Sequence, residues 1–199
     1  MSAEPHQAWE TIARYYGQPG ARELLLRLQQ RYRISVTTIL TLAWNAAHGR
    51  GAPGAGAAAR IAECTERYQA SVLRPLRSAR DGLRQWREAL DPEAGELREA
   101  LLSRELEAER LEQRLVLDCL DAPGGREPAG DPLGDLCLSL SRYLVSLGVE
   151  PDGEAVQAVE HLASLALEDY DGVHVGQIWA RAWASTRGGD PAAESPAKG

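Results

Sequence analysis

The sequence predicts an all-α protein, a helical bundle built around one long antiparallel helical hairpin, and three observations carry that prediction. Apolar residues recur at helical spacing throughout, and no window of four or more residues alternates as a strand would. Breaks rich in Gly and Pro, at GQPG, HGRGAPGAG, DPEAG and APGGREPAGDP, cut the chain into segments of helical length. The 199 residues, 44% of them apolar, suffice for one core and fall short of two. A single helical domain over residues 1–184 follows, with a tail over 185–199 too polar and too rich in Gly, Pro and Ala to fold.

The first helix runs from about Gln7 to Tyr16 and stops at GQPG; the second, from about Ala21 to Tyr32, turns Leu24, Leu25 and Leu28 inward. Ser35 is placed to cap a third helix, in SVTTILTLAWNAAHG, through a hydrogen bond from a first-turn amide. That helix is apolar nearly all round and belongs at the centre of the fold, although its β-branched residues Val36 to Ile39 weigh against helix. The hairpin comes next, over about 57–90 and 94–120, turning at DPEAG. Ile61, Tyr68, Val72, Leu76, Ala79, Leu83, Trp86 and Leu90 share one stripe of its first limb. The second limb answers with Leu97, Leu101, Ala108, Leu111 and Leu115, and adds a second apolar face of Leu102, Leu106, Leu117 and Leu120. A helix apolar on two faces should be sandwiched. Arg104, between Leu101 and Ala108, is therefore expected to be buried and paired with an acid of the facing limb. Pro75 lacks an amide hydrogen, leaves the Ser71 carbonyl without its partner and predicts a bend. Helices near Leu133 to Leu147 and Ala155 to Leu167 follow, then a short one in HVGQIWARAW. There Trp179 and Trp183 stand at i,i+4; the expected case is docking on the chain's own domain, the other a projecting anchor for a partner or a second copy.

Charge and motifs narrow the function. The net charge of −7, from 22 basic and 29 acidic residues, supplies no global attraction to nucleic acid or anionic lipid, so any anion site must be local. The best local lead is the row Arg74, Arg77, Arg80, Arg84 and Arg87, which spans about 140° of its helix opposite the apolar stripe. Five Arg less one Asp make residues 71–87 +4, and four Arg less eight acids make 94–121 −4. The row is either a solvated face with weak ion pairs or a guanidinium array for a phosphate, a nucleic-acid backbone or an acidic partner helix. Glu105 and Glu109, flanked by Arg104 and Arg110, read as surface, and Glu168, Asp169 and Asp171 as a solvated loop. His6, His48, His161 and His174 stand too far apart for metal-ligand spacing, and GxxxxGK[ST], GxGxxG and GxSxG are absent. Cys64, Cys119 and Cys137, odd in number and widely spaced, suit reduced thiols in a cytoplasm. No secretory signal opens the chain, and its richest apolar run, interrupted by Asp135 and Arg142, is too short to cross a bilayer.

Several elements together carry a resemblance. Tyr16 with the Pro19-Gly20 turn, the Leu28-Gln29 pair, the apolar helix ending near Trp44, the Arg74-Pro75-Leu76-Arg77 element and the Glu-rich run from Glu105 to Gln113 resemble an uncharacterised bacterial family of short helical proteins, catalogued as a domain of unknown function. The similarity spans about residues 9–115 and continues more weakly through Leu147; where the family shows Asp-Val-Asn, this chain has Ser35, Val36 and Thr37. The resemblance implies an all-α fold and carries no activity. The expected function is that of a non-enzymatic, cofactor-free helical protein that binds another macromolecule, a protein partner or a second copy. Two other classes stand beside it: a helical bundle with an apolar pocket near Trp44 for a small molecule or substrate, and nucleic-acid binding through the Arg row.

Overall fold

The structure, a computed structural model, describes residues 4–167, 170, 172 and 174–188. Its helices are α1 (Glu4–Tyr16), α2 (Ala21–Tyr32), α3 (Val36–Ala47), α4 (Ala55–Tyr68), α5 (Arg74–Gly82), α6 (Glu93–Asp121), α7 (Pro132–Ser146), α8 (Gly153–Ala166) and α9 (Val175–Arg187). A π-helical turn, Gln69–Leu73, joins α4 to α5, and a 3-10 turn, Leu83–Trp86, extends α5. The described regular structure is all helical, so the fold is all-α. Helix α9 runs on through Arg187, past the boundary expected at residue 184. The rest of the expected tail, beyond Gly188, and the acids Glu168, Asp169 and Asp171 lie outside the described residues.

Helix α3 is the central element, flanked by α1, α2, α6, α7 and α8. Its β-branched start is helical because burial outweighs propensity and because Ser35 caps it, accepting the Thr38 amide at 3.1 Å. Loops 48–54 and 122–127 are pinned beneath it. Buried Asn45 donates from Nδ2 to the Gly51 carbonyl at 2.6 Å and accepts from Arg126 Nε at 3.0 Å. Helix α9 lies on α7 and α8, with Trp179 buried at 5% exposure and the Trp183 ring stacked on it at 6.1 Å. That apolar anchor is engaged inside the chain. No described helix is long and apolar enough to cross a membrane.

The chain from α4 through α5 runs against α6 in the opposite direction. Gln69–Glu112, Arg77–Glu109 and Arg80–Glu105 mark successive rungs. Pro75 explains the π turn. An α-helix would require an amide hydrogen at that position, and a wider turn, closed by the Arg74 N–H on the Gln69 carbonyl, lets the helix restart with Pro75 in its first turn. Helix α6 packs against α1, α3 and α4 as well as α5, its core residues Val116, Leu117 and Leu120 lie in its C-terminal half, and its N-terminal half, with Leu97, Leu102 and Leu106 exposed, forms an arm with α5.

The arm corrects several expectations. Leu117 and Leu120 are core, as a sandwiched helix requires, but Leu102 and Leu106 are 44% and 48% exposed. Trp86 and Leu90, expected on a covered stripe, are both 53% exposed. Arg104 is not a buried interhelical partner: its guanidinium is exposed and bonded to Glu107 of its own helix at 2.7 Å. The packed line of α6 is centred on Glu105 and Ala108, which leaves Arg104 on the flank.

Candidate functional site

The arginine row does not form one open anion face. Arg77 and Arg80 turn into the hairpin, with side chains 26% and 17% exposed, and meet the acids of α6. Arg77 Nη2 donates to Glu109 at 2.7 Å, and Arg80 bonds to Glu105, a carboxylate only 5% exposed. Glu105 and Glu109 are thus not surface acids: a charge-assisted hydrogen bond from Arg80 and an ion pair with Arg77 at 3.9 Å hold Glu105 in a place that would otherwise disfavour an ion. Arg74 pairs with Glu66, Arg84 with Asp81 at 3.5 Å on the outside, and Arg87 is exposed. Helical spacing placed the five together; pairing with the acids of α6 draws in Arg77 and Arg80 and leaves Arg74, Arg84 and Arg87 outside.

The charges continue inward as a polar chain. Arg77 Nη1 donates to Gln69 Oε1 at 3.4 Å, and Gln69 Nε2 donates to both oxygens of Glu112, at 2.9 and 3.0 Å. The π turn places Gln69 there, 8% exposed, against a Glu112 that is fully buried. Burial pushes the Glu112 carboxyl up to about 7, opposed by hydrogen bonds from Gln69 and Ser35; Glu109 adds to the rise and Arg77 works against it. The Ser35 amide donates to the Tyr143 hydroxyl at 3.3 Å, and burial raises that phenol to about 12. Thr38 Oγ1 and Gln113 Nε2 are buried without a hydrogen-bond partner among the described residues. Glu112 and Gln69 were not singled out in the sequence, where Glu112 looks like one more acid of a Glu-rich helix. Its position on the packed line through Glu105 and Ala108 was the available signal.

The remaining features lie elsewhere. Trp44 is 2% exposed, its ring against His48 at 4.7 Å and under the Arg50 guanidinium at 5.2 Å. One turn further on, Ala47 and His48 border an open groove of about 970 Å³ shared with Glu10, Arg14, Asp131 and Tyr170. Trp179 borders a separate apolar cavity of only about 30 Å³, with Leu28, Ile39 and Leu140. Neither space reaches Glu112. No group of three or more His, Cys, Asp or Glu is placed to hold a metal ion among the described residues.

The arm's outer surface is the least satisfied part of the molecule. Of the seven exposed large hydrophobic residues among those described, six are Trp86, Leu90, Leu97, Leu102, Leu106 and Leu111, between 44% and 57% exposed; the seventh is Val145. At about 100° per residue, Leu97 and Leu111 fall on one flank of α6 and Leu102 and Leu106 on the other. Leu102 and Leu106, one turn apart, leave two adjacent apolar side chains on one flank.

Neither the curated proteins nor the solved structures contain a match to this chain. A family described as "Protein of unknown function (DUF2390)" matches residues 7–116, which take in most of α1, all of α2 through α5 and most of α6. The chain belongs to that family.

Proposed function

We propose that this is a non-enzymatic protein of the bacterial cytoplasm whose projecting arm binds a partner protein, receiving an amphipathic helix of that partner. The single observation behind the reading is the concentration of exposed apolar side chains over residues 86–111. Leu102 and Leu106, one turn apart on the same flank of α6, suit a helix laid along that side of the arm, and charges of both signs lie nearby in sequence, with Arg84, Arg104 and Glu107 all more than half exposed. A complementary partner would bury the leucines and order those charges, and burying apolar surface contributes about 25 cal/mol per Å² before the costs of association.

The test is site-specific photo-crosslinking in the native host. A photoreactive residue at Leu102 should join the chain to one protein, and Leu106→Glu should abolish that product. A crosslinking pattern no different from that of the same residue at Val145 would overturn the reading.

A small-molecule reading has one observation in its favour, the groove beside Ala47 and His48, where Glu10, Arg14 and Asp131 converge on the helix that carries Trp44. The nucleic-acid reading has less, since Arg74, Arg77, Arg80 and Arg84 each already meet a carboxylate.

A further inference from the structure

Cys64 and Cys119 lie 55 positions apart in sequence, yet α4 and α6 bring their sulfur atoms to 3.9 Å. Both are free and half-buried, whereas Cys137 is fully buried and stands apart as a natural control. A disulfide requires a sulfur separation of about 2.05 Å, so closure needs the two sulfurs to approach by about 1.9 Å, within reach of side-chain rotation and a small helix shift. The pair also occupies a special place. Between the two cysteines lie the π turn, α5, the arm and the Gln69–Glu112 contact, so a bond between them would close the arm at its root.

We infer that Cys64 and Cys119 are a redox pair that exchanges with a low-molecular-weight disulfide to staple α4 to α6. One cysteine, as thiolate, attacks a sulfur of the small disulfide, forms a mixed disulfide and releases the first small thiol. The other gives up its proton, attacks the protein sulfur of that mixed disulfide and expels the second small thiol. The protein loses two S–H bonds and gains one S–S bond; the small disulfide is reduced to two thiols. Burial and the neighbouring Cys119 push the Cys64 thiol up to about 12, so it is protonated at neutral pH, and the 3.9 Å approach of the two sulfurs supplies the proximity that the intramolecular step requires.

The experiment incubates the full-length protein with oxidised glutathione and maps its peptides without reduction. The expected result is a monomer lighter by two hydrogen atoms, with the Cys64 and Cys119 peptides joined, Cys137 unmodified and the melting temperature raised by several degrees. Dithiothreitol should reverse all of this. Cys64→Ser and Cys119→Ser should each stop at one glutathione adduct, with no gain in melting temperature. Glutathione retained on wild-type Cys64 or Cys119, crosslinks between chains, or both thiols left free under excess oxidant would each overturn the inference.

Discussion

Glu112 is the residue where burial and chemistry are most opposed. Its folded carboxyl titrates near 7 against an ordinary value of 4.5, so the folded protein holds a proton that the unfolded chain has released. Below about pH 4.5 both states are protonated and the group contributes no pH dependence. As pH rises towards 7 the unfolded chain ionises first and stability falls, and above 7 the full cost, about 3 kcal/mol, is present. Gln69, Ser35 and Arg77 keep that cost from being larger, and Glu109 adds to it. Glu112→Gln should therefore be more stable than wild type at pH 8, by up to about 3 kcal/mol, with the difference shrinking towards pH 5. Urea denaturation at several pH values measures it. A difference that stays constant between pH 5 and 8 would show that Glu112 does not titrate in that window.

Among the connecting elements, the pinned loops beneath α3 depend on one glycine. Gly51 has φ of +79°, and a Cβ there would lie 2.1 Å from the Glu127 carbonyl oxygen, a backbone atom that cannot swing aside. The same carbonyl region is tied by the Glu127 amide on Ala52 at 2.8 Å and by Arg142 on Pro53 at 2.7 Å. Gly49, with φ of +61°, has nothing within 4 Å of such a Cβ. Gly49→Ala should cost about 1 kcal/mol for its backbone conformation alone, and Gly51→Ala well above 2 kcal/mol, because the loop pairing must also open. Equal shifts of the urea midpoint would contradict the close approach. The π turn at Pro75 belongs to the same scale. The missing amide dictated a departure from the α-helix, but Gln69 reached Glu112 only because the departure widened the turn.

The whole molecule is a bundle closed by its last described helix and left open along its arm. Helix α9 covers α7 and α8 with Trp179, so Trp179→Ala should cost about 3 to 5 kcal/mol. Deleting α9 and all that follows should lower the melting temperature and expose dye-binding surface. Unchanged melting with altered light scattering would mean that the helix serves association instead. The arm is the converse case: its leucines rest on few contacts within the chain, so changing them should alter binding far more than folding.

The sequence by itself determined the helical class, the limits of most helices, the Ser35 cap and the central place of α3, because these depend on local spacing, capping and extreme apolarity. Tertiary structure decided everything that turns on which helix face is covered. Leu102 and Leu117 are equivalent in a helical pattern, yet one is exposed and the other is core, because the bundle reaches only half the length of α6. It also decided that Arg77 and Arg80 close the hairpin, that Arg104 does not, and that Cys64 meets Cys119. Periodicity records a residue's angle about its own helix and carries no information on what stands opposite, and the charges and thiols of this chain take their roles from that opposite side.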